Sequence, residues 1–192
     1  TAVFAFGRFN PPTIGHEKLI QKVQSMAKQV NGKGFVFLSH TGRTEKDPID
    51  FTTKLSYLRQ HFQADKNLSF GDVRANTIIK VMKVLQAEGR TRVIMIAGDD
   101  RVMQFQKLLN QYNGQKTKAG NIEYTFDEIQ VVSAGQRDPD ADDITGVSAS
   151  KARELAMKGQ EHEFSKMVMG GDKGKVLYDK IQDQFGKTVD EN

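Results

Sequence analysis

The chain has 192 residues, 38% of them hydrophobic and with no break in composition, enough to bury one sizeable core and expected to form a single domain over residues 1–192. It contains no cysteine, which excludes disulfides, a thiol nucleophile and thiolate metal sites and is compatible with a reducing cytoplasm. A net charge of +4 is too mild and too scattered to call for nucleic acid, and no segment interleaves basic and stacking side chains.

Nothing in the chain has the length of a membrane span or the layout of a signal peptide, so a cytoplasmic protein with no membrane partner is expected. The sequence is compatible with a homo-oligomer. It opens on Thr1 rather than Met with a strand pattern almost at once, so residues upstream are expected to have been removed.

In chain order, apolar residues ending at Gly7 read as a buried strand over 3–6, and Ile14, Leu19, Ile20 and Val23 read as one face of the helix that follows. Further strands are predicted at 35–39, 68–70, 93–97 and 129–133, with helical spacing over 51–62, 77–85 and 102–109. Residues 161–185 read as one or two helices broken at Gly170-Gly171. Alternating strands and helices imply parallel crossovers, hence an α/β Rossmann-like sheet flanked by helices, with C-terminal helices. A ligand site is expected at the carboxyl ends of the strands, where Gly7, Ser39 and Gly98 fall.

The first strand runs into Gly7-Arg8-Phe9-Asn10-Pro11 and then Thr13-Ile14-Gly15-His16, which places His16 in the first turn of a helix. Unpaired N–H groups and the positive end of the helix dipole attract phosphate there, and an imidazole can donate to a phosphate oxygen. On residue types alone, Pro11-Pro12 is equally a rigid turn and His16 a polar residue near a helix start. The segment resembles the signature of the nucleotidylyltransferase superfamily, His-x-Gly-His, with Thr13 at the first histidine position. A second segment, Ile144 to Glu154 with Ser148, Ser150, Lys151 and Arg153, resembles that superfamily's Ile-Ser-Ser-Thr-Lys-Ile-Arg motif. Read physically, Ser148 or Ser150 caps a helix continuing through Leu155 and Met157, and hydroxyls, Lys151 and Arg153 gather near one anion.

Two further stretches are similar to nicotinamide mononucleotide adenylyltransferases of the archaeal type. Ser39-His40-Thr41 and the run from Asp47 to Lys54 match one motif of those enzymes, with Lys54 on an arginine position; Val93 to Asp100 matches the strand ending in Gly-Ala-Asp, with Asp100 on the aspartate. Without the resemblance, Lys54 reads as a solvated helix residue, and Asp99 or Asp100 as a helix cap.

The resemblance implies transfer of AMP from ATP to a mononucleotide acceptor, with nicotinamide mononucleotide favoured, giving NAD and pyrophosphate. The implied catalytic residues are His16, Thr13, Arg8 and Arg153. Gly7, Phe9, Asn10, Gly15, Ser148, Ser150 and Lys151 would bind the triphosphate, and Ser39, His40, Thr41, Lys54, Gly98 and Asp100 the acceptor. Mg²⁺ would be held mainly by substrate phosphates, with no protein ligands. A phosphate monoester is largely ionised at neutral pH, so the acceptor needs little base catalysis and His16 is cast as a charge stabiliser. With no Trp in the chain, base stacking would fall to Phe or Tyr, and Phe9 is a candidate.

The alternatives are AMP transfer to phosphopantetheine or FMN, CMP transfer to an alcohol phosphate, and a silent nucleotide-binding module in a larger assembly. The core of a class I aminoacyl-tRNA synthetase shares the histidine logic, but the chain lacks room for an anticodon-binding domain. Two other patterns fail: the carboxylates of 138–143 lack the calcium loop's Gly and Glu, and Gly170 to Lys175 lacks the phosphate-loop spacing.

Overall fold

A computed structural model describes residues 1–135 and 146–186, with the side chains of 146–148 excepted. The acidic stretch at 138–143 lies outside the described residues. The strands are β1 (Ala2–Gly7), β2 (Lys33–Leu38), β3 (Leu68–Phe70), β4 (Arg92–Ala97) and β5 (Glu128–Ser133), joined in one parallel sheet of order β3-β2-β1-β4-β5. The helices are α1 (Ile14–Gln29), α2 (Phe51–His61), α3 (Ile78–Ala87), α4 (Val102–Tyr112), α5 (Gly146–Met157), α6 (Glu161–Ser165) and α7 (Lys175–Phe185). This is the expected Rossmann-like α/β architecture, with the order of strands reversing at β1.

The chain separates into two compact units. The first comprises the described residues of Thr1–Gly7, Lys18–Ser39 and Phe62–Arg137 and contains the sheet. The three inner strands β1, β2 and β4 are apolar on both faces, as parallel strands covered by crossovers must be, whereas the edge strand β5 alternates, with Glu128 and Gln130 exposed. Phe4, Phe35, Phe37 and Met95 form a core with Val81, Met82 and Leu85 of α3, Leu109 of α4, and Tyr124. Gly34 takes the place a larger residue would need: a Cβ there would stand 2.9 Å from Leu68 Cδ1 and 3.3 Å from Val23 Cγ1 of α1. Arg90 lies with its guanidinium carbon 5.5 Å from the centre of the Phe35 ring.

The second unit comprises the described residues of Arg8–Glu17, His40–His61 and Asp138–Asn192, so it takes the loop after β1, the first turn of α1, α2, and α5 to α7. Thr13 and Val168 form an antiparallel bridge; Met169 N–H donates to Pro12 O at 3.0 Å and Ile14 N–H to Met167 O at 3.1 Å. The predicted break between terminal helices is thus a short strap, residues 167–169, laid along the motif loop. Its geometry depends on Gly170, whose φ of +83° suits glycine and whose added Cβ would fall 2.7 Å from the Tyr57 hydroxyl. That hydroxyl donates to Met169 O. Gly170→Ala is therefore expected to lower unfolding stability by about 2–3 kcal/mol through the left-handed strain and loss of a buried hydrogen bond, measured by urea denaturation.

Candidate active site

β1 ends at Gly7, and the loop that follows is tied to α1 by a reciprocal cap. Thr13 Oγ1 accepts from the His16 N–H at 3.3 Å, while His16 Nδ1 accepts from the Thr13 N–H at 3.0 Å and lies 3.1 Å from Thr13 Oγ1. This is the logic of a capping box, with an imidazole in place of the usual Glu or Gln. It explains the Thr-x-Gly-His spacing locally: Thr13 is the helix cap, fully buried, and it fixes the imidazole. With Nδ1 accepting, the proton of the neutral ring sits on Nε2.

The cap also changes the source of positive charge. The Thr13 and His16 N–H groups serve the cap and that of Ile14 serves the strap, leaving Gly15 as the first-turn donor these contacts do not take. The expectation of an open array of unpaired N–H groups is corrected accordingly. Side chains supply the field instead. Lys54, from α2, is fully buried and donates from Nζ to Arg8 O at 2.6 Å; Arg153, from α5, donates from Nη1 to Asn10 O at 2.9 Å. Two cations from separate helices thus hold carbonyls two residues apart in the motif loop. The segments around residues 16 and 150 meet within this unit through that Arg153 bond.

Several predicted residues take unforeseen positions. Asn10 is buried and clamps the backbone of Ile49, donating from Nδ2 to Ile49 O at 2.8 Å and accepting at Oδ1 from Ile49 N–H at 2.9 Å. Phe9 is fully buried, in a left-handed conformation (φ 49°), with its ring centre 4.8 Å from that of His16; it supports the imidazole and offers no exposed face for a base. Ser148 and Ser150 lie inside α5 rather than capping it, because the helix already begins at Gly146. Ser150 Oγ instead accepts from Arg153 Nη2 at 3.0 Å. Gly15 is buried, whereas Arg8 and Lys151 are exposed, and Lys151 Nζ lies 3.9 Å from Glu154.

Of the residues expected for the acceptor, Lys54 stands with Arg153 on the motif loop and acts on His16. His40 packs on Phe51, with ring centres 4.2 Å apart, and Thr41 is exposed. In the sheet unit, the Ser39 N–H donates to Gly7 O at 2.9 Å, and Gly98 and Asp100 are exposed just beyond β4. Asp99, next to them, accepts a hydrogen bond from Ser133 rather than capping a helix by its side chain. Sequence reasoning left out Asp47, a buried carboxylate beside Lys54, and the strap, whose contacts are backbone and leave no trace in side-chain type.

Burial, and then the Lys54 cation, lower the His16 pKa from 6.5 to about 4, while a hydrogen bond to the Pro11 backbone works the other way. The ring is neutral at pH 7. Because the folded value lies below the unfolded one, the associated stability is full above pH 6.5 and is lost as pH falls toward 4. Between pH 8 and pH 5 this group should remove about 2 kcal/mol. Urea unfolding at both values should show that His16→Ala loses about 2 kcal/mol less than the parent over this interval.

Lys54 is lowered to about 8 by burial, against the raising influence of Asp47 and Asp50. Burial also lowers Arg153, which Asp47 raises and Arg8 lowers. A groove of about 330 Å³ beside Arg153 is lined also by Lys46, Ser150, Met157 and Lys158. A larger one, about 430 Å³ and lined by residues including Glu161, Phe164 and Tyr178, holds none of the predicted site residues. No group of three His, Asp or Glu among the described residues could hold a metal ion. The described residues do not form a magnesium cage. Among the described residues, no helix is long and apolar enough to cross a membrane.

Comparison with curated proteins finds no match. Among solved structures, Thermotoga maritima TmcAL bound with alpha-thio ATP is similar at a TM-score of 0.55 and 12% identity, over 97% of this chain and 57% of that one. A macrolide-efflux protein from Streptococcus pneumoniae aligns at 0.46 and 12% identity, over 91% of this chain and 60% of that one. The chain thus spans less than two thirds of either, and at this identity the TmcAL likeness concerns the fold alone. A family model described as cytidylyltransferase-like matches residues 4–155, a stretch that takes in the parallel sheet, the capped His16 and Arg153. The chain belongs to the cytidylyltransferase-like family, which includes nucleotidylyltransferases.

Proposed function

We propose that the protein is a nucleotidylyltransferase that moves AMP from ATP to a mononucleotide acceptor, with nicotinamide mononucleotide favoured. The observation that carries this reading is the cationic set on the motif loop: buried Lys54 and half-buried Arg153 bond its carbonyls, Lys54 acts on His16 and Arg8 on Arg153. A buried lysine held at a pKa of about 8 is costly to the fold, and an anionic ligand offsets that cost. The ATP analogue bound by the TmcAL neighbour supports ATP as the donor. The choice of acceptor rests on the resemblance of Ser39-His40-Thr41 and of Gly98 to Asp100.

In this reading an acceptor phosphate oxygen attacks the α-phosphorus, the bond from that phosphorus to the bridging oxygen breaks, and pyrophosphate leaves with the electron pair. His16 Nε2–H donates to a phosphate oxygen in place of Pro11, while Lys54, Arg153 and Arg8 neutralise the charge on the leaving pyrophosphate. Alignment of two anions supplies the rest of the rate. Residues 1–192 then act as one nucleotidylyltransferase domain.

The test is a panel of triphosphates against acceptors, scored by pyrophosphate release and product mass. Formation of NAD from ATP and nicotinamide mononucleotide is expected. Turnover with a different acceptor alone would replace the substrate, and ATP binding without product from any acceptor would make the protein a silent nucleotide-binding module.

A further inference from the structure

We propose that Asp47 is a positioning residue for the triphosphate, a buried carboxylate whose negative charge balances the two cations, Lys54 and Arg153, that bond the motif loop. This rests on the nucleotidyl-transfer reading above. Asp47 is 6% exposed, and its Oδ1 has no hydrogen-bond partner among the described residues. A buried carboxylate left so is expensive for a purely structural turn.

The backbone delivers it rigidly. Asp47 N–H donates to Thr44 Oγ1 at 3.0 Å and Thr44 N–H to Asp47 O at 3.2 Å, while two residues later Asn10 holds both sides of the Ile49 peptide. From there the carboxylate acts on Lys54 of α2 and on Arg153 of α5, the two side chains that bond Arg8 O and Asn10 O. Asp50, just before α2, also acts on Lys54, and Arg8 on Arg153; His16 of α1, on which Lys54 acts, is neutral over the pH range tested below. One buried carboxylate against two cations lets both stay charged inside the protein and leaves a surplus for an anion to complete.

Asp47→Asn removes the charge and keeps the shape. The first readout needs no ligand: titration of the Lys54 side chain, followed by NMR of ¹³C-labelled lysine, should show its midpoint falling by about one pH unit in the variant. The second is ATP affinity from pH 6 to pH 10. The alkaline decline of affinity should move down with the Lys54 midpoint, with affinity at pH 6 changed less than about threefold. An unmoved midpoint, or a loss of affinity equal at every pH, overturns the proposal.

In a Lys54→Met background, Asp47→Asn should leave the pH dependence of ATP affinity unaltered; an undiminished effect there also overturns it. If Asp47→Asn does not fold, Asp47→Glu, which restores the charge, should keep the parental Lys54 midpoint, and a lowered midpoint in that variant counts against the assignment. Failure of the parent protein to bind ATP would sink the nucleotidyl-transfer reading while the ligand-free titration still decides the role of Asp47.

Discussion

Lys54→Met is expected to reduce nucleotidyl transfer about 100- to 1000-fold while changing unfolding stability by no more than about 2 kcal/mol. The two halves of that result have separate causes. In the folded protein the Lys54 pKa is lowered to about 8 from 10.5, so its charged form carries a penalty that is full below pH 8 and is relieved as pH rises toward 10.5. At pH 7 this is about 3 kcal/mol. Methionine fills the same buried space without charge and removes the penalty, but it gives up the bond to Arg8 O and part of the compensation of Asp47. These terms nearly cancel. Activity has no such offset, because no other fully buried cation holds the loop among the described residues. Arginine is no conservative substitute, since its planar fork would have to fit where a single ammonium donates to one carbonyl. Pyrophosphate release and urea unfolding on the same variant provide the check. Unchanged transfer would remove Lys54 from the site, and a large loss of stability would make it a structural ion.

The fold was legible because buried parallel strands write themselves as short apolar runs. Val93 to Ala97 and the three residues Leu68 to Phe70 could be read from pattern alone. The order β3-β2-β1-β4-β5 could not, since pairing depends on contacts distant in the chain. At α5 the missed boundary has a local cause: Gly146 to Ser150 mixes Gly and two Ser with only Val147 and Ala149, so the sequence offers no sustained apolar stripe to mark where the helix begins.

Around the motif loop, type and spacing singled out His16 and Arg153, but not the contacts that their neighbours make. Asn10 looked like a ligand-binding residue because nothing in the sequence tells of Ile49, 39 positions later, whose backbone it clamps. The resemblance made Thr13 catalytic, and nothing in the sequence told that its hydroxyl also accepts from the His16 N–H. For Lys54 a signal existed: it stands three and four residues before Tyr57 and Leu58, all three buried, which places it on the apolar face of α2 where a solvated lysine does not belong. That conflict between local pattern and residue type is what marks Lys54 for testing.

His16→Ala should lower turnover about 100- to 1000-fold, the cost of one preorganised donor to a transition state, or about 3–4 kcal/mol. The structure makes the loss more specific than removal of a charge. The imidazole is held by the Thr13 N–H on one side and the buried Phe9 ring on another, with its pKa at about 4, so it enters as a neutral donor of fixed orientation. Loss of the ring frees the Thr13 N–H and one side of the cap, a cost of about 1 kcal/mol that is partly returned by removing a desolvated imidazole. The variant should therefore fold. If His16 acts on the triphosphate in the transition state, kcat should fall with KM for ATP little changed. A rise in KM with kcat preserved would make the residue a ground-state binder. His16→Gln separates donor chemistry from capping: its amide can satisfy the Thr13 N–H and can offer an N–H to phosphate, but not both from one fixed ring. Stability close to the parent with turnover still down at least 10-fold is the expected result. Turnover near the parental value in both variants would leave the imidazole as no more than a helix cap.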